Sequence, residues 1–253
     1  MLTLIIYIVI IFTLLTLFSW FLIKPKLLRV VLGTISSALL LLSSLSIVAN
    51  TAYHFGMEEK TVVNTAEIYT AGQKESPVNL LIANQIGTQS GNYAMNFRDS
   101  QDSQDPTTHF VPDQSHMAES VKKSATYKIV DEQTSAKLIT TTTKWQFSSD
   151  FYKTLFKVED SDSELISEKN EITVPKSNWL VLSADQAKSL AEKQQAMTDE
   201  QKQAQQTQLK QEVAKQVQTY QAQNPGANQQ QLAEYTQQVS TQLTLQMMNS
   251  LIN

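Results

Sequence analysis

The chain has 253 residues, 42% of them apolar and 17% charged, with no cysteine and a net charge of −4. The first 49 residues carry only Lys24, Lys26 and Arg29, so the remaining 17 Lys and Arg, set against all 24 Asp and Glu, leave −7 on the rest. This division excludes a simple soluble enzyme and a disulfide scaffold. Without thiols there is also no zinc-thiolate site, iron–sulfur cluster or lipidated cysteine.

Residues 2–23 form an uncharged apolar run. As a helix it rises about 33 Å, enough for a hydrocarbon core of about 30 Å. A second run covers 30–49; its serines (Ser36, Ser37, Ser43, Ser44, Ser46) are compatible with a span because a helical hydroxyl bonds its own backbone. The link 24–29 is short, which makes the two helices antiparallel neighbours, and Pro25 suits the break. All nearby basic residues lie in this link, so the positive-inside rule predicts a two-pass cell-membrane protein with the link in the cytoplasm and both termini outside. Trp20 and Tyr53 fall near the expected interfaces. Gly33, Ser37 and Ser44, flanked by Ser36 and Ser43, make a small-residue stripe. It either packs against the first run or docks another membrane protein. A rival reading takes the link as the charged start of a signal sequence cleaved after Ala49 or Ala52; Ile47 is a poor residue for that cleavage.

Residues 50–60 are expected to form a stalk. From 61 to 182 the pattern has period two: Val62, Asn64, Ala66 and Ile68 on one side, Ile139, Thr141, Thr143, Trp145 and Phe147 on another, then Tyr152, Thr154, Phe156 and Val158. Tyr127 with Ile129, residues 172–174 and residues 179–182 complete the series. β-Branched and aromatic residues at this spacing predict half-buried strands in an antiparallel β-sandwich or small barrel. Ser148-Ser149-Asp150 reads as a turn between two strands. The polar stretch 98–124 reads as a long loop, disordered or partly ordered.

The tail, 183–253, is Gln-rich and helical in pattern. Ser183-Ala-Asp-Gln186 and Thr198-Asp-Glu-Gln201 are capping boxes, the second marking a bend or restart. Leu209, Val213, Val217 and Tyr220 repeat at helical spacing, Asn224-Pro225-Gly226 breaks the run, and Leu232, Tyr235, Val239, Leu243 and Met247 resume it. Two amphipathic helices with narrow apolar seams are expected to form a helical hairpin, against the alternative of Gln-rich disorder.

Little in the chain points to chemistry. His109 and His116 are seven apart with no companion ligand motif, and His54 stands in the expected stalk. Asp99, Asp102 and Asp105, and the denser Glu159, Asp160, Asp162 and Glu164, read as solvated acidic turns. Ser120-Val-Lys-Lys123 fits S-x-x-K by chance. No catalytic residue, metal ligand or cofactor is assigned, and the acidic outer region argues against nucleic acid. Trp145, Trp179, Phe147, Phe151 and Tyr152 are expected in the core rather than in a ligand cleft.

Lys24-Pro-Lys26 in the link, Lys144-Trp-Gln-Phe147 and Val174-Pro-Lys-Ser-Asn-Trp-Leu180 in the strand region, and the Gln-rich tail resemble two-span membrane proteins of lactic acid bacteria and their relatives, for which no activity is defined. That resemblance implies a single-membrane bacterial envelope and carries over no catalytic residues. The expected function is a membrane-anchored, non-enzymatic accessory or binding protein acting with an integral partner such as a transporter or envelope-assembly complex. Gly33, Ser37, Ser44, Leu209, Val213, Val217, Leu232, Val239 and Leu243 are the candidate contacts, with the lipid bilayer as the other partner. Two alternatives stay open: a tethered cell-envelope hydrolase or transferase, with Glu67, Asp131, Asp150 or the acidic cluster supplying carboxylates, and a structural protein whose tail makes a homo-oligomer.

Overall fold

The computed structural model describes residues 4–157 and 162–252. Leu2, Val158, Glu159, Asp160 and Asn253, on which parts of the reading above fall, lie outside the described residues. By its internal contacts the chain divides into two compact units, Met1–Val62 with Thr141–Glu168, and Val63–Thr140 with Lys169–Asn253.

The first unit begins with α1 (Leu4–Phe21) and α2 (Lys26–Tyr53), both long and apolar enough to cross a membrane. Pro25 N-caps α2 with φ −64°, the value its ring imposes, and Arg29 N–H closes the first turn on Pro25 O. Lys26 to Arg29 therefore belong to the helix rather than to the link. The hydroxyls of Thr34, Ser36, Ser43, Ser44 and Ser46 each donate to a carbonyl three or four residues back, which satisfies them without water. The expected stalk is not a linker. Residues 50–53 continue α2, and β1 (Met57–Glu67) starts after a three-residue joint. Ser149 accepts a bond from Tyr152 N–H and caps a short helix; the stretch expected as a strand through Tyr152, Thr154 and Phe156 is thus helical. Asp150 in its first turn suits the helix dipole.

Two four-stranded sheets follow. One has the order β1, β6 (Lys137–Phe147), β7 (Ser163–Pro175), β5 (Lys123–Val130). The other has the order β4 (Thr107–His109), β3 (Tyr93–Phe97), β2 (Asn79–Gln85), β8 (Trp179–Leu182). β2 pairs antiparallel with β3 (Ile82 opposite Asn96) but parallel with β8 (Asn79 opposite Trp179, Ile82 opposite Leu182). Purely antiparallel pairing thus fails at β8. The chain between these partners runs through five other strands, and a parallel pair requires such a crossover. β1 is an outer strand and is exposed along nearly its whole length, so its alternating residues do not mark a buried face. The stretch 98–124 is not one loop: it holds β4, a 3-10 turn (Gln114–His116), the single-turn helix α3 (Met117–Ser120) and the start of β5. The helix capped by Ser149, Asp150–Phe156, is α4.

The core of the second unit gathers side chains from both sheets: Leu81, Met95, Phe97, Ile172, Val174 and Trp179 are buried together. Arg98 is also buried, its guanidinium donating to the carbonyls of Thr70, Gly72 and Gln104, which satisfies three loop acceptors at once.

The tail is three helices, α5 (Ala184–Ala196), α6 (Asp199–Gln223) and α7 (Gln229–Ile252). Both capping boxes form, with Ser183 and Thr198 accepting from the backbone of Gln186 and Gln201. The second is a true restart: Met197 is extended and ends α5. Ala184 N–H bonds Asn84 Oδ1 at 2.7 Å and fixes the start of α5 on β2. Thr198→Ala is expected to lower stability by about 1 kcal/mol through the lost cap, read from circular-dichroism melts of the full chain.

Candidate functional site

In the helical hairpin part of the small-residue stripe faces inward. Gly33, Ser36 and Ser43 are buried. A Cβ on Gly33 would lie 2.7 Å from Trp20 Cε2, and Trp20 Nε1–H donates to Ser37 Oγ at 3.3 Å. Gly33 and Ser37 thus meet the indole of α1 within the hairpin, while Ser44 is exposed. The large apolar side chains, Leu14, Phe18, Leu41, Leu42 and Leu45 among them, point away from the hairpin.

The joint after α2 gathers a cluster of aromatic and polar side chains of the first unit. His54 takes the left-handed conformation (φ 55°), and Asn50 Nδ2 donates to Phe55 O at 2.8 Å. Gly56 follows at φ +82°, a value glycine reaches without Cβ strain. Its carbonyl accepts from both Ser148 N–H and Ser148 Oγ at 3.0 Å. The His54 ring stacks on Trp145 (4.4 Å, 13°), and its Nε2 lies 3.3 Å from Glu164 Oε2. Phe55 meets Tyr152 edge-on at 5.6 Å, and Tyr152 stacks on Phe156. Lys153 and Lys157 both reach Asp162, at 2.8 and 2.5 Å. Hydrogen bonds from those two lysines hold the Asp162 carboxyl below its ordinary range and raise Lys153 in return.

The expected core aromatics separate. Trp179 is in the core; Trp145, Phe147 and Tyr152 are half-buried, and Phe151 is exposed, because α4 and β6 leave them at the joint rather than inside the second unit's core.

Several other titratable residues form local pairs. His109 stacks on Phe97 (4.0 Å) and lies 3.5 Å from Asp99. Glu67 accepts from Ser135 Oγ, and Asp131 pairs with Lys176 at 3.2 Å. Ser120 Oγ and the Asp113 backbone bond each other, so the hydroxyl of S-x-x-K closes a turn. Among the described residues no three of His, Asp and Glu converge on a metal-holding position.

Asp113, Ser115 and His116 have the residue types of a hydrolase triad but not its geometry. His116 Nδ1 faces both Ser115 Oγ (2.9 Å) and Asp113 Oδ2 (2.8 Å), whereas a triad uses opposite ring nitrogens. The arrangement caps the 3-10 turn. The hydrogen bond and charge of Asp113 raise His116 above its ordinary 6.5; hydrogen bonds from Ser115 and His116 hold Asp113 below its ordinary 3.8. The histidine's contribution is full below 6.5 and is lost as pH rises through the raised value. The aspartate's is full above 3.8 and is lost as pH falls through the depressed value. The turn is therefore expected to be firmest between those pH values. Asp113→Asn should bring the His116 titration back down, as read by NMR of the imidazole; an unchanged midpoint would contradict the pairing.

In the tail, Leu209, Val213 and Val217 of α6 line a groove of about 420 Å³ with Thr236 and Ser240 of α7. Tyr220 stacks on Tyr235 at 4.0 Å near the turn, and Lys193 of α5 donates to Leu251 O at the far end of α7. Leu232 and Leu243 are half-buried and Val239 is buried. The predicted seams thus meet at Tyr220 and Tyr235, while Leu209, Val213 and Val217 line an open groove beside Thr236 and Ser240 of α7.

Two apolar helices, two sheets and a helical tail define the class of protein. Residues 25–190 match the model for Domain of unknown function (DUF4811), and the chain belongs to that family. The matched part runs from the cap of α2 through both sheets into α5. No curated protein and no solved structure matches the chain.

Proposed function

We propose that this chain is a membrane-anchored, non-enzymatic accessory or binding protein. Its hairpin crosses the membrane twice, and its sheets and tail act outside the cytoplasm with an integral membrane partner. The observation that carries this reading is the inside-out hairpin: Ser19, Gly33, Ser36 and Ser43 are buried, with Ile5, while most of its large apolar side chains face outward. In water that arrangement forgoes about 1.5–3 kcal/mol for each large side chain left exposed; in lipid it costs nothing. The helices rise about 27 and about 42 Å, against a hydrocarbon core of about 30 Å. Lys24, Lys26 and Arg29 at one end favour that end in the cytoplasm. The same features support kinship with the two-span envelope proteins of lactic acid bacteria and their relatives.

Only residues 22–25 separate the two helices, too few to fold a cytoplasmic module. An effect inside the cell would therefore pass through another integral protein. The open side of α6 and the outward face of α2 supply surface for it. Purification of the full chain after mild solubilisation is expected to recover a stoichiometric membrane partner. Recovery of the chain alone, from membranes in which the hairpin is intact, would contradict this function.

A further inference from the structure

The joint after α2 has a surface that its internal contacts do not explain. α4 turns Tyr152 toward Phe55 and Gly56 with Phe156 stacked on it, and Lys153, with Lys157 at the helix cap, reaches Asp162. The remaining side, where Leu155 follows Phe151 at i+4, leaves Phe151 68% exposed. Tyr53, in the last turn of α2, is 81% exposed, and Phe55 is 49% exposed. α4 also packs against α1, which places it beside the hairpin rather than out in solvent. A single exposed aromatic needs no explanation. Three of them, gathered where an apolar helix gives way to polar chain, suit a bilayer surface: tyrosine settles at headgroup level, and phenylalanine lines the apolar face of helices that lie in the interface.

We infer that α4, with Tyr53 and Phe55, lies in the membrane–water interface and seats the joint in the lipid headgroup region. The inference rests on the proposed membrane crossing, and two features of the structure support the lipid as occupant. α2 is longer than a hydrocarbon core requires, so its last turn emerges at headgroup depth. Among the described residues, the exposed rings also continue the outward apolar surface of the hairpin, and the charges of α4 and its cap (Asp150, Lys153 and Lys157) stand on another side of that helix, the two lysines held by Asp162.

The chain has no cysteine, so one engineered thiol can carry one nitroxide. Phe151→Cys and, separately, Tyr53→Cys would be labelled in the full chain and reconstituted into phosphatidylcholine vesicles containing some phosphatidylglycerol. Collisions with oxygen and with an aqueous nickel chelate report depth. Leu14→Cys, outward-facing in the middle of α1, serves as the reference for the crossing itself. At 151 and 53 the chelate collisions are expected to fall severalfold below those of the free label in buffer, with depth shallower than at 14. Chelate collisions at 151 equal to those of the free label, with 14 deep, would overturn the interfacial helix and leave the crossing intact. Aqueous behaviour at 14 would overturn both.

Discussion

Gly56→Val is expected to be the most damaging single substitution in the joint. Two effects add. A non-glycine residue at φ +82° costs about 1–2 kcal/mol in backbone strain. Its Cβ would also meet Tyr152 Cδ1 at 2.6 Å and Cγ at 2.7 Å, an overlap worth about 1–3 kcal/mol. Tyr152 has little room to retreat, since its ring lies between Phe55 and Phe156. Gly87 separates the two effects: its φ is +70°, but nothing lies within 4 Å of a Cβ there. Gly87→Ala should show the strain alone. Gly56→Ala should cost more, and adding Tyr152→Ala should return part of the difference. Urea unfolding of the full chain in detergent measures all four; equal costs for the two alanine variants would show that the Tyr152 contact is unimportant.

The second large effect is expected in the hairpin. Gly33→Leu would drive a branched side chain into the Trp20 indole, whose Cε2, Nε1 and Cδ2 already lie 2.7, 2.9 and 3.0 Å from an added Cβ. Helices that pack without a hydrophobic drive depend on such close approach. The expected cost is about 1–3 kcal/mol of packing, together with loss of the Trp20–Ser37 hydrogen bond. The Trp20→Ala, Gly33→Leu pair should be closer to wild type than additivity predicts, as read from protease resistance of the hairpin in detergent. Additive losses would mean that the two residues do not share one contact.

How much of this was legible in the chain depends on how local each signal is. The two apolar runs, the capping boxes at Ser183 and Thr198, and the Asn224-Pro225-Gly226 break are short-range patterns; the boxes and the break stand where the sequence places them, while the second run lies inside the longer α2. At α4 the alternation of Tyr152, Thr154 and Phe156 points to a strand, although Ser149 and Asp150 just before them carry a helix-start signature. β2 and β3 carry weak local signals: Asn79–Gln85 and Tyr93–Phe97 are short and only partly alternating, and their burial comes from neighbours far along the chain. The parallel pairing of β2 with β8 is nonlocal in the same way. At the joint, the isolated Gly56 hinted at a special backbone position. Nothing local says that His54 stacks on Trp145 or approaches Glu164, over 90 residues away in each case. The stripe at Gly33 was visible, but its partner, Trp20, emerged only with the antiparallel packing of α1 on α2.

The proposed two crossings, with the sheets and tail on one side and the short link on the other, are tested most directly by a membrane-impermeant thiol reagent applied to intact cells. Single cysteines would be placed at Leu27, beside the link, and at Lys202, on the exposed side of α6. Lys202→Cys is predicted to react from outside, and Leu27→Cys only after the cells are opened. Reaction of Leu27→Cys in intact cells, with Lys202→Cys protected, would contradict the account.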